Sequence, residues 1–282
     1  MITLQPITGG GSCPSPRCLF LADVHLRDRR DPHYEIILDF LRHLSGPGSE
    51  SEEIKKVATP GCLVIDHLFI LGDFFDFWFS RAGRIYPGFQ DIVERLRRLK
   101  EEGINVHLCE GNHDFFMKAY FSRLLGMEVC EDWAEVSLEG RRLLIGHGDL
   151  VDVSNHYYLW LRKILRSRAF YFLQMILPLP LLWEAARKSS QTSQEYMGGA
   201  QEAIALKMET FARDKFQEGY EAVILGHCHK AQHQDIVTET GMKTFVTLGD
   251  WVSQYTFLYY TDRRFQLCRY AGAGEGIKLD IV

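Results

Sequence analysis

The sequence predicts an α/β fold with buried β-sheets, and three observations support that class. Short apolar runs rich in Val, Ile and Leu recur along the chain at the length of buried strands. Amphipathic helix patterns lie between them, and this alternation is typical of α/β domains. Five of the apolar runs end in a small cluster that contains Asp or His, and α/β folds collect their functional residues at strand ends.

The elements can be justified in chain order. The predicted strands are Cys18–Ala22, Leu63–Leu71, Ile104–Cys109, Leu143–Ile145 and Ala222–Leu225. Asp31 and Pro32 supply a helix cap and a first-turn proline, so a helix is predicted to begin there. Apolar residues at helix spacing predict a second helix over 89–99, which Gly103 ends. After Gly241 short strands joined by turns predict antiparallel edge strands that close the sheet.

Length and composition limit the class of protein. The chain has 282 residues, of which 46% are hydrophobic and 24% charged, and its formal charge is −5. These values exclude wholesale disorder and a disulfide scaffold. The negative charge disfavours a protein that binds nucleic acid by neutralising phosphates. Seven cysteines without a C-x-x-C pair indicate thiols in a reducing compartment.

The chain is predicted to form one domain. We expect residues 1–17 to be a flexible lead-in without a signal peptide, and residues 18–282 to form the domain. The polar segment 45–61 is expected to be a surface loop. The most apolar stretch, Ala169–Trp183, contains two prolines and is too short to span a membrane, but it could lie on one.

Five polar clusters follow predicted strands. They are D-x-H at 23–25, G-D at 72–73, G-N-H-D at 111–114, G-H-G-D at 146–149 and G-H-x-H at 226–229. One such cluster is weak evidence for a site, but five in succession are not expected by coincidence. Carboxylate, imidazole and amide ligands together suit two borderline divalent ions such as Mn²⁺, Zn²⁺ or Fe²⁺. Cys228 should point away from its flanking imidazoles, so we expect it to be a packing residue.

The ordered clusters resemble the calcineurin-like metallophosphoesterase superfamily, over about residues 18–260. The resemblance implies a sandwich of two mixed β-sheets flanked by helices, with a helical cap inserted at about 153–195. It implies two divalent ions, Mn²⁺ being the first choice, and attack of a metal-activated hydroxide on phosphorus. The first ion would be held by Asp23, His25 and His229, the second by Asn112, His147 and His227, and Asp73 would bridge the two.

The same resemblance implies two catalytic residues. His113 would stabilise charge on phosphorus or protonate the leaving oxygen, and Asp114 would orient it. Asp76, one short turn after the G-D cluster, is expected to bond the loop backbone.

The predicted cap is basic and aromatic. Residues 156–188 contain six Lys or Arg, one Glu and seven aromatic residues. Tyr157 and Trp160 share an apolar helix face, and Arg162 and Arg166 lie on other faces. Such a helix indicates a membrane-surface or lipid-binding element. The alternative is a helical hairpin that packs its apolar face on the core and exposes its basic residues. Binding of single-stranded nucleic acid is a third, weaker interpretation.

The cap position and the blocks G-D-F-F-D-F-W and L-G-D-W are similar to those of bacterial UDP-2,3-diacylglucosamine pyrophosphohydrolases of lipid A synthesis. This similarity implies cleavage of that acylated nucleotide sugar to UMP and 2,3-diacylglucosamine 1-phosphate. It also implies a cytoplasmic enzyme that binds the inner face of the cytoplasmic membrane peripherally through the cap, with no nucleic-acid partner. The candidate substrate contacts are Asn155, Tyr157, Trp160, Arg162, Arg166, Phe170 and Ser193.

The sequence departs from that subfamily in places and leaves alternatives open. Its best-known members have Arg where His113 stands, and an acidic pair where this chain has 153–155. One alternative is a soluble phosphodiesterase or phosphatase that acts on a nucleotide or nucleic acid. A non-catalytic scaffold is less favoured because the ligand set is complete.

Overall fold

The computed structural model describes residues 2–3, 15–47, 62–184, 201–271 and 280–281. The strands are β1 Ile2–Thr3, β2 Cys18–Leu21, β3 Leu44–Ser45, β4 Leu63–Val64, β5 His67–Leu71, β6 Asn105–Cys109, β7 Glu128–Cys130, β8 Trp133–Leu138, β9 Arg141–Gly146, β10 Ala222–Leu225, β11 Ala231–Thr238, β12 Gly241–Leu248, β13 Thr256–Thr261, β14 Arg264–Arg269 and β15 Asp280–Ile281. The α-helices are α1 Pro32–Arg42, α2 Gln90–Glu101, α3 His156–Leu165, α4 Arg168–Ile176 and α5 Gln201–Gln217, and residues 179–184 are also helical.

Two mixed sheets form the body, as the resemblance implied. The first has six strands in the order β1-β8-β9-β10-β12-β11, and the second has seven in the order β15-β14-β13-β2-β5-β6-β7. In the first sheet β9, β10 and β12 are parallel, and in the second β2, β5, β6 and β7 are parallel. The carboxyl ends of these strands therefore lie together at one edge of each sheet.

Three apolar layers hold the sheets and helices together. Phe20 and Phe69 of the second sheet and Ile145 and Ile224 of the first lie in the core between the sheets. A second core packs α1 and α2 on the outer face of the seven-stranded sheet. A third packs α5 on the outer face of the six-stranded sheet. The fold is therefore a four-layer sandwich of helices, two sheets and helices.

The predicted helices of the body form for the predicted reasons. The Asp31 side chain accepts a hydrogen bond from the His33 amide and caps α1, which starts at Pro32. Helix α2 buries Ile92, Val93, Leu96 and Leu99 and ends just before Gly103, whose φ is +93°.

Two predictions about the strands need correction. The run 63–71 divides into β4 and β5 because Asp66 turns aside to bond the backbone and guanidinium of Arg17. Strands β12 and β13 lie inside their sheets, where β12 pairs with β10 and β13 pairs with β2, so they are not edge strands. Within the predicted lead-in 1–17, Ile2–Thr3 pairs with β8 and Arg17 is bonded by Asp66, whereas residues 4–14 lie outside the described residues and the flexibility of the segment stays a prediction.

The helical cap lies between β9 and α5. Helices α3 and α4 and the helical residues 179–184 belong to its described part, while residues 185–195 at its predicted end lie outside the described residues. Within the described chain, no helix combines the length and the apolarity that crossing a membrane requires.

Candidate metal centre

Loops from both sheets converge on one site. The clusters 23–25, 72–73 and 111–114 follow β2, β5 and β6 of one sheet, and 147–149 and 227–229 follow β9 and β10 of the other. Backbone bonds lock the loops together: the Asp23 amide donates to Gly72 O (3.1 Å) and the His25 amide to Asp73 O (2.9 Å). The His227 amide donates to Asp23 Oδ2 (2.8 Å), which joins the two sheets at the site.

The first group of donor atoms comes from Asp23, His25 and His229. One ligand atom from each lies within 4.8 Å of the others. His25 Nε2 and His229 Nε2 are 3.3 Å apart, and Asp23 Oδ1 is buried without a hydrogen-bond partner. If one of the two nitrogens is protonated, they form an N–H···N bond, and if both are unprotonated, their lone pairs and the Asp23 carboxylate can bind one cation.

The second group comes from Asn112, His147 and His227. His147 Nε2 lies 2.9 Å from Asn112 Oδ1 and 3.2 Å from His227 Nδ1. Asp73 Oδ2 stands between the two groups, 3.4 Å from His147 Nε2 and 3.8 Å from His25 Nε2. The structure therefore brings all seven predicted ligands together, with Asp73 in the shared position.

The backbone of the site is strained. Asp23, His25, Asp73, His227 and His229 all have φ between +49° and +69°, a region that L-residues rarely occupy. Such conformations persist where the surrounding structure imposes them, and they cluster at functional sites.

Two glycines permit the close approach of the loops. A Cβ on Gly111 would lie 2.1 Å from Asp73 Oδ1, and one on Gly72 would lie 2.6 Å from His147 Nδ1. The φ of Gly72 is also +87°. Any side chain at either position would displace a predicted ligand.

Burial and charge shift the pKa values of the cluster. Burial alone would raise the pKa of Asp73, but the His147 and His113 imidazoles hold it well below its usual value. Burial alone would lower the pKa of His147, but the Asp73 carboxylate raises it to about 10. Burial, followed by the charge of His147, lowers the pKa of His227 to about 3. The buried set of carboxylate, imidazole and amide donors fits divalent cations.

His113 lies beside the first group of donor atoms. Its ring meets the His25 ring edge-on at 5.1 Å, and its Nδ1–H donates to the Asp76 carbonyl oxygen (3.3 Å). Its backbone amide donates to Asp73 Oδ1 (2.8 Å).

The prediction that Asp114 orients His113 needs correction. The Asp114 carboxylate instead accepts hydrogen bonds from the amides of Asp73, Phe74, Phe75 and Gly111, at 2.7–3.1 Å. It is fully buried between two loops whose amides need an acceptor, and there it joins the G-D loop to the G-N-H-D loop.

Sequence reasoning missed the carboxylates behind two ligands. Asp76 Oδ1 lies 3.6 Å from His25 Nδ1. Burial alone would lower the pKa of His25, but the contact with Asp76 helps to raise it above its usual value. Asp250 Oδ2 lies 3.8 Å from His229 Nδ1. Carboxylates behind metal-ligating imidazoles fix ring orientation. The signal for Asp250 was its L-G-D-W block directly after a predicted strand.

The cap meets the site through its basic face. Arg162 Nε donates to Asp149 Oδ2 (2.8 Å) and Arg166 Nη1 to Glu110 Oε2 (2.8 Å). The apolar face points to solvent, with Trp160 59% exposed. The interpretation that the apolar face packs on the core with the basic residues in solvent is therefore wrong for α3.

The predicted substrate residues have different surroundings. Tyr157 and Trp160 are exposed and Phe170 is half-buried. The Asn155 side chain accepts a hydrogen bond from the Tyr158 amide and caps α3. Ser193 lies outside the described residues. That these side chains contact substrate stays a prediction.

Comparison with known proteins gives consistent matches. A family model of the calcineurin-like phosphoesterases matches residues 16–231. A UDP-2,3-diacylglucosamine hydrolase of Pseudomonas fluorescens (strain SBW25) is 29% identical, over 89% of this chain and 94% of its own. One of Neisseria gonorrhoeae (strain FA 1090) is 28% identical, over 86% and 93%. A solved structure of a conserved Streptococcus pneumoniae protein, described as a phosphoesterase, has 13% identity and a TM-score of 0.37, over 95% of each chain.

The family match covers most of the domain and all five metal-binding clusters. The divalent-metal chemistry of the donor set agrees with it. The chain belongs to the calcineurin-like phosphoesterase family, and it is a metal-dependent phosphoester hydrolase.

Proposed function

We propose that the chain hydrolyses UDP-2,3-diacylglucosamine to UMP and 2,3-diacylglucosamine 1-phosphate, in lipid A synthesis. The observation that carries this proposal is the cap, which bonds the metal loops through one face and exposes large apolar side chains on the other. That arrangement offers apolar surface beside a phosphate-hydrolysing site, as an acylated nucleotide sugar requires. Two UDP-2,3-diacylglucosamine hydrolases align with 86–89% of the chain and support the same substrate.

The proposed metal centre holds two ions, with Mn²⁺ as the first choice. Asp23, His25 and His229 would hold one ion, and Asn112, His147 and His227 would hold the other, with Asp73 between them. When bound, two such ions polarise the phosphoryl group and make water a nucleophile at neutral pH.

His113 is the proposed catalytic side chain. Because its Nδ1–H is held by the Asp76 carbonyl oxygen, its Nε2 is the nitrogen left for the substrate. His113 would hydrogen-bond the phosphoryl or leaving oxygen there, either stabilising its charge or giving it a proton. Asp114 serves the same site by bonding the loop amides around Asp73.

The proposed location is the cytoplasmic face of the membrane. Tyr157, Trp160, Ile164, Phe172, Leu173, Ile176 and Leu181 are the large apolar side chains that the cap exposes. Several large apolar side chains exposed on one short segment are typical of membrane or ligand contact. We propose that the protein rests on the bilayer through this surface while it takes up its lipid substrate.

Release of UMP from UDP-2,3-diacylglucosamine in mixed micelles with Mn²⁺ tests the proposal. We expect Mn²⁺-dependent turnover, no turnover by Asp73→Asn, and much slower cleavage of UDP-N-acetylglucosamine, which has no long acyl chains. Bis-p-nitrophenyl phosphate serves as a substrate without sugar or lipid. If the wild-type protein cleaves this diester but releases no UMP from the lipid, the substrate proposal is wrong and the soluble phosphodiesterase alternative stands.

A further inference from the structure

We propose that helix α3 of the cap, with its C-cap residue Arg166, is a positioning element for one metal ion, because Arg166 and Arg162 hold the two loops that carry Asn112 and His147. The basic face of α3 would thus act on the metal centre itself. This inference rests on the metal-dependent hydrolase chemistry and not on the identity of the lipid substrate.

Arg166 grips the loop that leads into Asn112. Its Nη1 donates to Glu110 Oε2 (2.8 Å) and its Nη2 to the Gly111 carbonyl oxygen (2.7 Å). Glu110 is itself fixed, since its Oε1 accepts the Met117 amide (2.8 Å). The guanidinium therefore clamps the two residues immediately before the ligand Asn112.

The hydrogen bonds from Arg166 hold the loop at Gly111, where it is tightly packed. Gly111 is pressed against the shared carboxylate of Asp73, with space for no side chain. A shift of the 110–111 peptide would therefore move Asn112, the next residue, and its contact with His147 Nε2 (2.9 Å). The Arg166–Glu110 pair is buried, with side-chain exposures of 13% and 3%, so solvent screens it little.

A second set of hydrogen bonds joins α3 to the loop that carries His147. Asp149, two residues after this ligand, accepts the Tyr158 hydroxyl (2.5 Å) and Arg162 Nε (2.8 Å), both from α3. Arg162 Nη2 also donates to Asp132 Oδ1 (2.6 Å).

Both sets of contacts hold loops that carry ligands of the same proposed ion. Asn112 and His147 belong to the second group of donor atoms, whereas the bonds described for Arg162 and Arg166 include none to the loops 23–25 or 227–229. Loosening α3 should therefore weaken one of two metal sites and leave the other intact. Partners behind metal ligands are worth roughly 10–100-fold in metal affinity.

Equilibrium Mn²⁺ binding to the full-length protein, with free Mn²⁺ measured by electron paramagnetic resonance, tests the proposal directly. For Arg166→Gln we expect two sites, of which one has an affinity at least tenfold lower than in the wild type. The rate of bis-p-nitrophenyl phosphate cleavage should need correspondingly more Mn²⁺ and recover at saturation. Lys163→Gln, an exposed basic residue on the same helix, is the matched control and should bind like the wild type.

Three outcomes would overturn the positioning role. Unchanged binding at both sites with a raised KM for the lipid substrate would make Arg166 a substrate contact. Equal weakening of both sites would remove the link to one ion. A loss of Mn²⁺ affinity in Lys163→Gln would mean that any positive charge removed from this helix weakens metal binding, so that the contacts of Arg166 would not be the cause. If Arg166→Gln does not fold, Tyr158→Phe removes one bond to Asp149 and should still weaken one site severalfold, whereas unchanged binding in that variant refutes the proposal.

Discussion

Replacement of Trp160 by Ser should detach the protein from membranes without unfolding it. The Trp160 side chain is 59% exposed on α3, close to the Tyr157 ring, with a centroid distance of 6.3 Å. Since little of it packs against the body, its removal should change the free energy of unfolding by no more than about 0.5 kcal/mol. Its contribution to membrane binding should be much larger.

The exposed area gives the size of that contribution. With 59% of the side chain accessible, out of roughly 250 Å², about 150 Å² of Trp160 is open to solvent. Full removal of this area from water is worth about 3.7 kcal/mol at roughly 25 cal/mol per Å². A side chain that sinks half of this area into the interface contributes about 2 kcal/mol, or roughly 30-fold in the partition coefficient.

Sedimentation with phosphatidylcholine vesicles measures the partition coefficient of each variant. Val237→Ser is the control, because Val237 is 81% exposed but lies near the far end of β11, away from the metal loops and the cap. We expect Trp160→Ser to bind vesicles roughly 30-fold more weakly and Val237→Ser to bind like the wild type. Equal binding of all three proteins, or equal losses in both variants, would show that the cap is not the membrane surface.

Three further changes test the site and the core. Gly111→Ala would place a Cβ 2.1 Å from Asp73 Oδ1, so calorimetric titration should show Mn²⁺ affinity at least about tenfold lower; unchanged affinity would contradict the predicted crowding. His113→Gln should keep both metal sites and lower kcat for bis-p-nitrophenyl phosphate by roughly 10²–10⁴-fold, and an unaltered kcat would exclude its catalytic role. Phe40→Ala empties a fully buried position against Trp251, so urea unfolding should show a loss of about 3–5 kcal/mol; a loss below about 1 kcal/mol would mean that the core refills the space.

The positions of the proposed metal ligands were predictable because local sequence determines where they lie. Each follows a short buried strand, and the carboxyl ends of such strands meet at one edge of the sandwich. For this reason the sequence alone is enough to name Asp23 and Asp73. Their left-handed φ values could not be predicted, since they result from bonds between loops distant in sequence, such as that from the His25 amide to Asp73 O.

The role of Asp114 and the order of the strands were harder to predict. A carboxylate beside a predicted catalytic His has two partners available, the imidazole and the backbone amides around it. The amides of the G-D loop are buried and need an acceptor, so they capture Asp114. In the same way, the turn-rich pattern after Gly241 predicted antiparallel strands, but only long-range pairing determines that β12 and β13 lie inside the sheets.

The orientation of α3 could not be predicted either, and it changes what the charge of the cap does. The sequence defines an apolar and a basic face but not which of them meets the body, because the acidic partners Asp149, Asp132 and Glu110 come from three other segments. Two of the four basic residues in the described cap are thereby neutralised, which leaves Lys163 and Arg168 exposed.

Membrane binding should consequently depend on apolar area more than on charge. Lys163 and Arg168, the exposed cations of the described part of the cap, contribute at most about 2 kcal/mol on an anionic bilayer, at about 1 kcal/mol each, and on a zwitterionic bilayer any exposed cation contributes far less. Raising NaCl from about 0.1 to 1 M shortens the screening length from about 10 to 3 Å and should remove most of this electrostatic contribution to membrane binding. Vesicle binding to phosphatidylcholine should therefore change less than about threefold across this range, against roughly 30-fold for Trp160→Ser. A tenfold loss in salt would mean that cations, and not the aromatic face, hold the protein on the membrane.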